Sequence, residues 1–148
     1  GGAGNKCMQF ANKAGHPHPW TYMAWISDSK VSAAERLFLG KHHYVRTDGG
    51  IVAKDALQFV SGQLEAPINL DEWGKPVETG SAWTGTMPDG SAVPGATHCN
   101  DWTIDGLSNY GHFGMVGATD SSWTYQPNPE LNPIFCGSYK TLYCIEGE

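Results

Sequence analysis

Ala82-Trp83-Thr84-Gly85-Thr86, Pro88-Asp89-Gly90 and Cys99-Asn100-Asp101-Trp102 follow one another along this chain and form its most informative region. The first segment predicts a buried strand, because its residues are largely of types that favour strands. The second predicts a tight turn, since proline presets one backbone angle and glycine accepts a positive φ. The third carries one of four cysteines, three residues before a tryptophan.

Short strands and two helices are predicted on either side of this region. The further strands span residues 22–27, 44–46, 51–53 and 139–145. A helix is predicted over 5–14, because apolar residues recur there at helical spacing and Gly15 follows as a stop. A second helix is predicted over 33–39, with a capping box at 32–35 and its end at Gly40.

The composition predicts one small domain over residues 1–148. Hydrophobic residues make up 40% of the chain and charged residues only 16%, with 19 glycines and 9 prolines. This mixture is typical of short strands joined by many turns. No apolar stretch predicts a transmembrane helix. The expected context is the C-terminal domain of a longer exported protein.

The net charge of −6 is unevenly distributed. Residues 1–75 carry eight basic and seven acidic side chains, whereas residues 76–148 carry Lys140 and eight acidic side chains. Nucleic acids and heparin require clustered lysine and arginine. The second half lacks such clusters, so neither partner is expected.

The four cysteines are Cys7, Cys99, Cys136 and Cys144. No Cys-x-x-Cys pair occurs, which argues against zinc ribbons and thioredoxin-like sites. An even number in a small, glycine-rich domain favours disulfides and an oxidising compartment. Spacing alone leaves three pairings open.

The order of these motifs resembles a known family. The pieces are Cys7 in a predicted helix, the strand 24–28, the segments 83–86 and 99–102, Cys136, and the ending Leu142-Tyr143-Cys144-Ile145-Glu146. Together they resemble endostatin, and more closely the bacterial endostatin-like domains of exported and surface lipoproteins. The resemblance runs from about Lys6 to Glu146.

The resemblance implies an α+β, C-type-lectin-like fold. That fold has a twisted, mainly antiparallel sheet, one or two helices and long loops. It also implies two nested disulfides, Cys7–Cys144 and Cys99–Cys136, the second beneath the long loop. Heparin and zinc binding do not carry over, because Arg36 and Arg46 are the only arginines and no histidine precedes Cys7.

Residues 104–133 are predicted to form a long functional loop, rich in glycine, asparagine, serine and aromatic residues. Its aromatic and amide side chains are of the types that bind sugars and proteins. The predicted ligand-binding residues are Asn109, Tyr110, His112, Trp123, Thr124, Tyr125 and Gln126. Of these, Trp123 is also the best candidate for a core position.

Two fragments are similar to the calcium motifs of sugar-binding C-type lectins, namely Asn100-Asp101-Trp102 and Gln126-Pro127-Asn128. Their order is reversed, and two fragments do not provide the six to eight oxygen ligands that calcium takes. Turn formation is the favoured interpretation. His16 and His18 share one turn, but two imidazoles do not complete a zinc site. No cofactor is expected, with Ca²⁺ retained only as an alternative.

Catalysis is not expected. The chain has no nucleophile elbow, metalloprotease motif, phosphate loop or dinucleotide fingerprint. With all four cysteines in disulfides, no thiol is free to act as a nucleophile. Asp101 and Asp105 form a carboxylate pair of a kind that any acidic loop offers.

The favoured hypothesis is an extracellular or cell-surface module for adhesion or recognition. It would bind a glycan, or a surface protein of a host or prey, through its long loop. The first alternative is a structural domain that caps or oligomerises a fibre or lipoprotein. The second is a calcium-dependent lectin.

Overall fold

The computed structural model describes residues 2–37, 42–95 and 98–147, which fold into short helices and strands. The helices are α1 (Gly2–Lys13), α2 (Ala33–Leu37), α3 (Ala56–Phe59) and α4 (Cys99–Trp102), with 3-10 turns at Pro19–Thr21 and Ser121–Trp123. The strands are β1 (Tyr22–Ala24), β2 (Tyr44–Val45), β3 (Ile51–Ala53), β4 (Ser81–Trp83), β5 (Tyr110–Gly111), β6 (Phe113–Met115), β7 (Ile134–Phe135) and β8 (Cys144–Glu146). The predicted α+β class is confirmed.

These strands form four antiparallel pairs, β1–β8, β2–β3, β4–β6 and β5–β7. Residues 141–143 join two of the pairs. The Trp25 N–H donates to the Tyr143 carbonyl at 2.9 Å, and the Trp83 N–H donates to the Thr141 carbonyl at 3.0 Å. The predicted antiparallel pairing is confirmed, but as small pairs rather than one long ladder.

Regular pairing is shorter than predicted at 22–27, 82–86 and 139–145. Beyond β1 and β4 the buried segments keep single backbone hydrogen bonds, such as that from the Ser27 N–H to the Thr84 carbonyl at 2.8 Å, and hydroxyl groups add to them. The Ser27 and Thr86 hydroxyls lie 2.8 Å apart, and Ser27 Oγ accepts from the Ala33 N–H at 2.9 Å. The Thr124 hydroxyl donates to the Thr86 carbonyl at 3.2 Å, so side chains also satisfy backbone groups that a longer ladder would otherwise pair.

The two predicted helices are present with different bounds. The first begins at Gly2 and ends before Gly15, whose φ of +75° closes it. The capping box of α2 is confirmed, because Ser32 Oγ donates to Glu35 Oε2 at 2.7 Å and the Glu35 N–H donates back at 3.3 Å. The predicted end of this helix, 38–40, lies outside the described residues.

An aromatic cluster forms the centre of the core. The rings of Trp25, Phe59 and Trp123 are in mutual contact, with centroids 4.9 to 5.3 Å apart. Trp25 Nε1 donates to Thr124 Oγ1 at 2.9 Å, and the Tyr143 hydroxyl donates to the Trp123 carbonyl at 2.9 Å. The core is therefore pinned by directional bonds as well as by apolar burial.

Both predicted disulfides are present. Cys7–Cys144 ties α1 to β8, and Cys99–Cys136 ties α4 to the residue after β7. The prediction of a long loop over 104–133 is wrong in one respect, because β5, β6 and a 3-10 turn lie within it. In the described part of the chain, no helix is long and apolar enough to cross a membrane.

Candidate functional site

Five exposed apolar side chains lie in the two segments that the Cys99–Cys136 disulfide joins. They are Ile104, Leu107, Tyr110, Phe135 and Tyr139, which we call the disulfide patch. The side chain of Tyr139 is 97% exposed and that of Leu107 is 75% exposed. Scattered apolar residues are normal on a surface, but a concentration of them marks an interaction site.

Backbone hydrogen bonds bring the parts of this patch together. Tyr110 and Phe135 are direct partners in the β5–β7 pair. The Cys136 N–H donates to the Asn109 carbonyl at 2.8 Å, and the Gly137 N–H donates to the Gly106 carbonyl at 2.9 Å. The patch is therefore presented on fixed backbone.

The helical turn α4 beside this patch is left-handed. Its four residues Cys99, Asn100, Asp101 and Trp102 have φ of +50°, +51°, +55° and +61°. This conformation costs on the order of 1–2 kcal/mol per residue, and only asparagine and aspartate tolerate it well among these types. Strain of this kind persists where the surroundings impose it, and such sites are often functional.

Three attachments impose this conformation on α4. Cys99 is held by its disulfide to Cys136. Trp102 Nε1 donates to the Ser27 carbonyl at 2.7 Å. The Asp101 carboxylate accepts from the N–H of Ser29 at 2.8 Å and from its hydroxyl at 2.7 Å. These two bonds lower the pKa of Asp101.

His98 precedes α4 and is only 3% exposed. Its Nδ1 atom has no hydrogen-bond partner among the described residues. A Cβ on Gly85 would lie 2.6 Å from this atom, so only glycine allows the close approach. Burial lowers the pKa of His98, although the nearby charges of Asp101 and Asp28 oppose that shift.

His98 should therefore make the fold sensitive to mild acid. The unfolded chain, with an ordinary histidine pKa of about 6.5, binds the proton more readily than the folded chain does. Neutral His98 therefore contributes to the free energy of unfolding above a pH of about 6.5, and this contribution is lost as the pH falls below that value. We expect the urea midpoint of the wild type to drop between pH 7 and pH 5, and to drop less for His98→Gln.

His43→Gln, at an exposed position, is the matched control and should keep the wild-type slope. Equal slopes for the wild type and His98→Gln would contradict this assignment. The carboxylates with lowered pKa, such as Asp28 and Asp101, titrate below this window.

The structure separates the seven predicted ligand-binding residues. Trp123 and Thr124 are buried in the core, Trp123 with 1% exposure, so the core position expected as the alternative for Trp123 is confirmed and its side chain is not available as a surface contact. His112 is also buried, and its ring stacks on Tyr125 with centroids 5.7 Å apart. Tyr110 is exposed in the patch beside the half-buried Asn109.

Two faces of the β5–β6 segment explain this separation. A Cβ on Gly111 would lie 3.1 Å from Trp83 and 3.2 Å from Trp102, so one face packs on these indoles. On the other face, a Cβ on Gly114 would lie 2.0 Å from the Trp123 carbonyl oxygen. The segment 123–125 thus covers His112, because alternate residues of a strand share a face. Tyr110 lies two residues before His112, at the start of β5, where its side chain is exposed.

The two fragments that are similar to lectin calcium motifs use their side chains for hydrogen bonds within the chain. Gln126 Oε1 accepts from the Asn128 N–H at 3.1 Å, and Asn128 Oδ1 accepts from the Glu130 N–H at 2.9 Å. The Asp101 oxygens accept from Ser29, as described above. Within residues 2–37, 42–95 and 98–147, no group of three or more His, Cys, Asp or Glu side chains is arranged to hold a metal ion.

The half-buried side chain of Lys140 lies over two aromatic rings. Lys140 Nζ is 4.7 Å from the centroid of the Phe113 ring and 5.8 Å from that of Trp83. Burial lowers the pKa of Lys140. In the sequence, Lys140 stands out only as the one lysine or arginine of residues 76–148. Its contacts with the two rings could not be predicted, because the rings belong to the distant strands β4 and β6.

A separate cavity of about 340 Å³ lies between the β2–β3 and β1–β8 pairs. Its apolar lining includes Val52, Phe59, Ile68 and Ile145, and Arg46 is among its polar lining residues. The Arg46 guanidinium is already bound to Asp48 and Asn69. Sequence analysis missed this cavity because several distant segments build it.

Comparison with known proteins adds no relative. A scan against models of protein families gives no match, and a search of curated proteins gives none either.

Proposed function

We propose that this chain is an extracellular or cell-surface recognition module with an endostatin-like, C-type-lectin-like fold. The helix-to-last-strand disulfide and the inner disulfide agree with the pairing that this family resemblance implies. Two disulfides in a small domain are also compatible with an oxidising, extracellular location.

The observation that carries the proposal is the disulfide patch. Its aromatic members offer the large contact areas that dominate binding energies at interfaces. Ile104 and Leu107 add exposed aliphatic surface, which suits a protein partner better than a glycan. The partner we favour is therefore a cell-surface protein of a host or prey, with glycan as the second candidate.

Tyr110→Ser is expected to weaken partner binding by at least about tenfold, the loss typical of a central aromatic contact. Binding would be measured on arrays of extracellular proteins and of glycans. Leu57→Ser is the matched control, because Leu57 is 80% exposed in α3 and lies outside the patch. Equal binding by wild type and Tyr110→Ser would contradict the assignment of the disulfide patch as the binding surface. No binding on either array would count against the recognition function itself.

The alternative of a structural cap follows from the same exposed surface, which could join copies of the chain. A stable trimer of the isolated domain in sedimentation analysis, abolished by Tyr110→Ser, would favour the cap. A monomer would favour recognition. The calcium-dependent alternative requires that chelator abolish glycan binding.

A further inference from the structure

Three cations in the described residues are half-buried, namely Arg36, Arg46 and Lys140. Arg36 is paired with Asp28 at 2.6 Å, and Arg46 with Asp48 at 2.9 Å. Both guanidinium groups thus have a carboxylate partner. In the same ranges Lys140 has none within 4.0 Å.

The Lys140 ammonium has three N–H donors. Across the described part of the chain, no oxygen or nitrogen atom is bonded to it, and its contacts are with the ring faces of Trp83 and Phe113. Cation–π attraction offsets part of the cost of removing this charge from water, and the half-buried ammonium keeps its N–H donors accessible to an acceptor from outside the chain. No carboxylate of the described residues neutralises this charge.

Lys140 also lies beside the disulfide patch. It directly follows Tyr139, the most exposed large apolar side chain of the described residues. The rings below it, Trp83 and Phe113, are direct partners in the β4–β6 pair. The Lys140 ammonium thus lies over two paired rings, the half-buried Trp83 and the buried Phe113, and the exposed Tyr139 is its neighbour along the chain.

We propose that Lys140, Trp83 and Phe113 form a binding site for an organic carboxylate with an apolar or ring-shaped body. The carboxylate would accept hydrogen bonds from the ammonium, and the body would lie against the half-buried ring of Trp83. A single carboxylate fits better than a polyanion, because the other charges of residues 76–148 are negative. The site deepens the proposed recognition function by assigning one chemical contact within it.

Benzoate is the first probe, with benzamide as its neutral counterpart. The measurement is a titration followed by NMR of the Lys140 Cε–Hε signal, which is assigned by its loss in Lys140→Met. Benzoate should shift this signal saturably and raise the Lys140 pKa, because a nearby negative charge favours the ammonium form. Benzamide should bind at least about tenfold more weakly, given the strength of charge-assisted hydrogen bonds.

Glucuronate is the second probe and distinguishes the source of the carboxylate. Saturation by benzoate alone assigns an apolar body, and saturation by glucuronate alone assigns an acidic sugar; either result supports the site. Lys75→Met, at an exposed lysine, should bind as the wild type does, whereas Lys140→Met should lose the aromatic signal shifts of Trp83 and Phe113. Equal binding of benzoate and benzamide, or no saturable shift with either acid, would overturn the proposal. The arrays described above test recognition separately, so the two failures are distinguishable.

Discussion

Removing the outer disulfide with Cys7→Ala and Cys144→Ala together should lower the free energy of unfolding by about 4–5 kcal/mol in the chain-entropy model. The bond joins residues 137 positions apart, so it restricts nearly the whole unfolded chain. Natural domains are stable by only about 5–15 kcal/mol, so this loss approaches the total. Alanine is the substitute of choice because Cys7 is fully buried, where a hydroxyl would lack water.

The inner bond provides the matched control. Cys99–Cys136 spans 37 positions, and its removal by the same substitutions should cost about 3–4 kcal/mol. Guanidinium denaturation followed by circular dichroism compares the two variants. The inner variant should be the more stable one, and its left-handed turn α4 should relax. A larger loss for the inner pair would show that loop length does not govern these effects.

Gly114→Ala is expected to be the most damaging single substitution that adds only a methyl group. The new Cβ would lie 2.0 Å from the Trp123 carbonyl oxygen and 2.5 Å from its carbonyl carbon. Backbone cannot move aside as a flexible side chain can, so the 123–125 segment must be displaced. That displacement disturbs the Trp25–Thr124 bond and the aromatic core. We expect a loss of about 3 kcal/mol or more, at or beyond the upper range for overpacking.

Gly4→Ala is the matched control, because it makes the same substitution at a position where the added methyl group has free space. Gly4 lies in α1, and a Cβ there would meet no atom within 4 Å. Alanine should stabilise this helix by up to about 1 kcal/mol, since it has the higher helix propensity. Measured by urea unfolding, Gly114→Ala should thus lower the free energy of unfolding and Gly4→Ala should raise it. A Gly114→Ala protein as stable as the wild type would contradict the close packing of β6.

Local signals were enough to predict several elements. The Ser32–Glu35 capping box and the Pro88-Asp89-Gly90 turn were predicted from nearby residues, and both are formed by short-range bonds. In the turn, the Gly90 N–H donates to the Met87 carbonyl at 2.9 Å. Helix α3 was missed although its cap is visible in the sequence. Asp55 accepts from the Gln58 N–H at 2.8 Å, as an N-cap does.

Features made by distant segments were harder to predict. Spacing left three disulfide pairings open, and the family resemblance selected the nested one that the structure contains. No residue pattern indicates that Cys99 and Trp102 adopt positive φ, because tertiary attachments impose it. The burial of Trp123 and the position of Lys140 depend on contacts across 98 and 57 positions, to Trp25 and Trp83.

The outer disulfide also determines how the domain responds to pulling. Tension applied through the chain on both sides of Cys7 and Cys144 passes from one residue to the other through their covalent bond. The segment between them, with its core and its patch, carries almost none of that load. Only the β1–β8 pair beyond Cys144 and the first turn of α1 can peel away. A domain anchored in this way would keep the disulfide patch folded under tension, until the sulfur–sulfur bond itself is reduced.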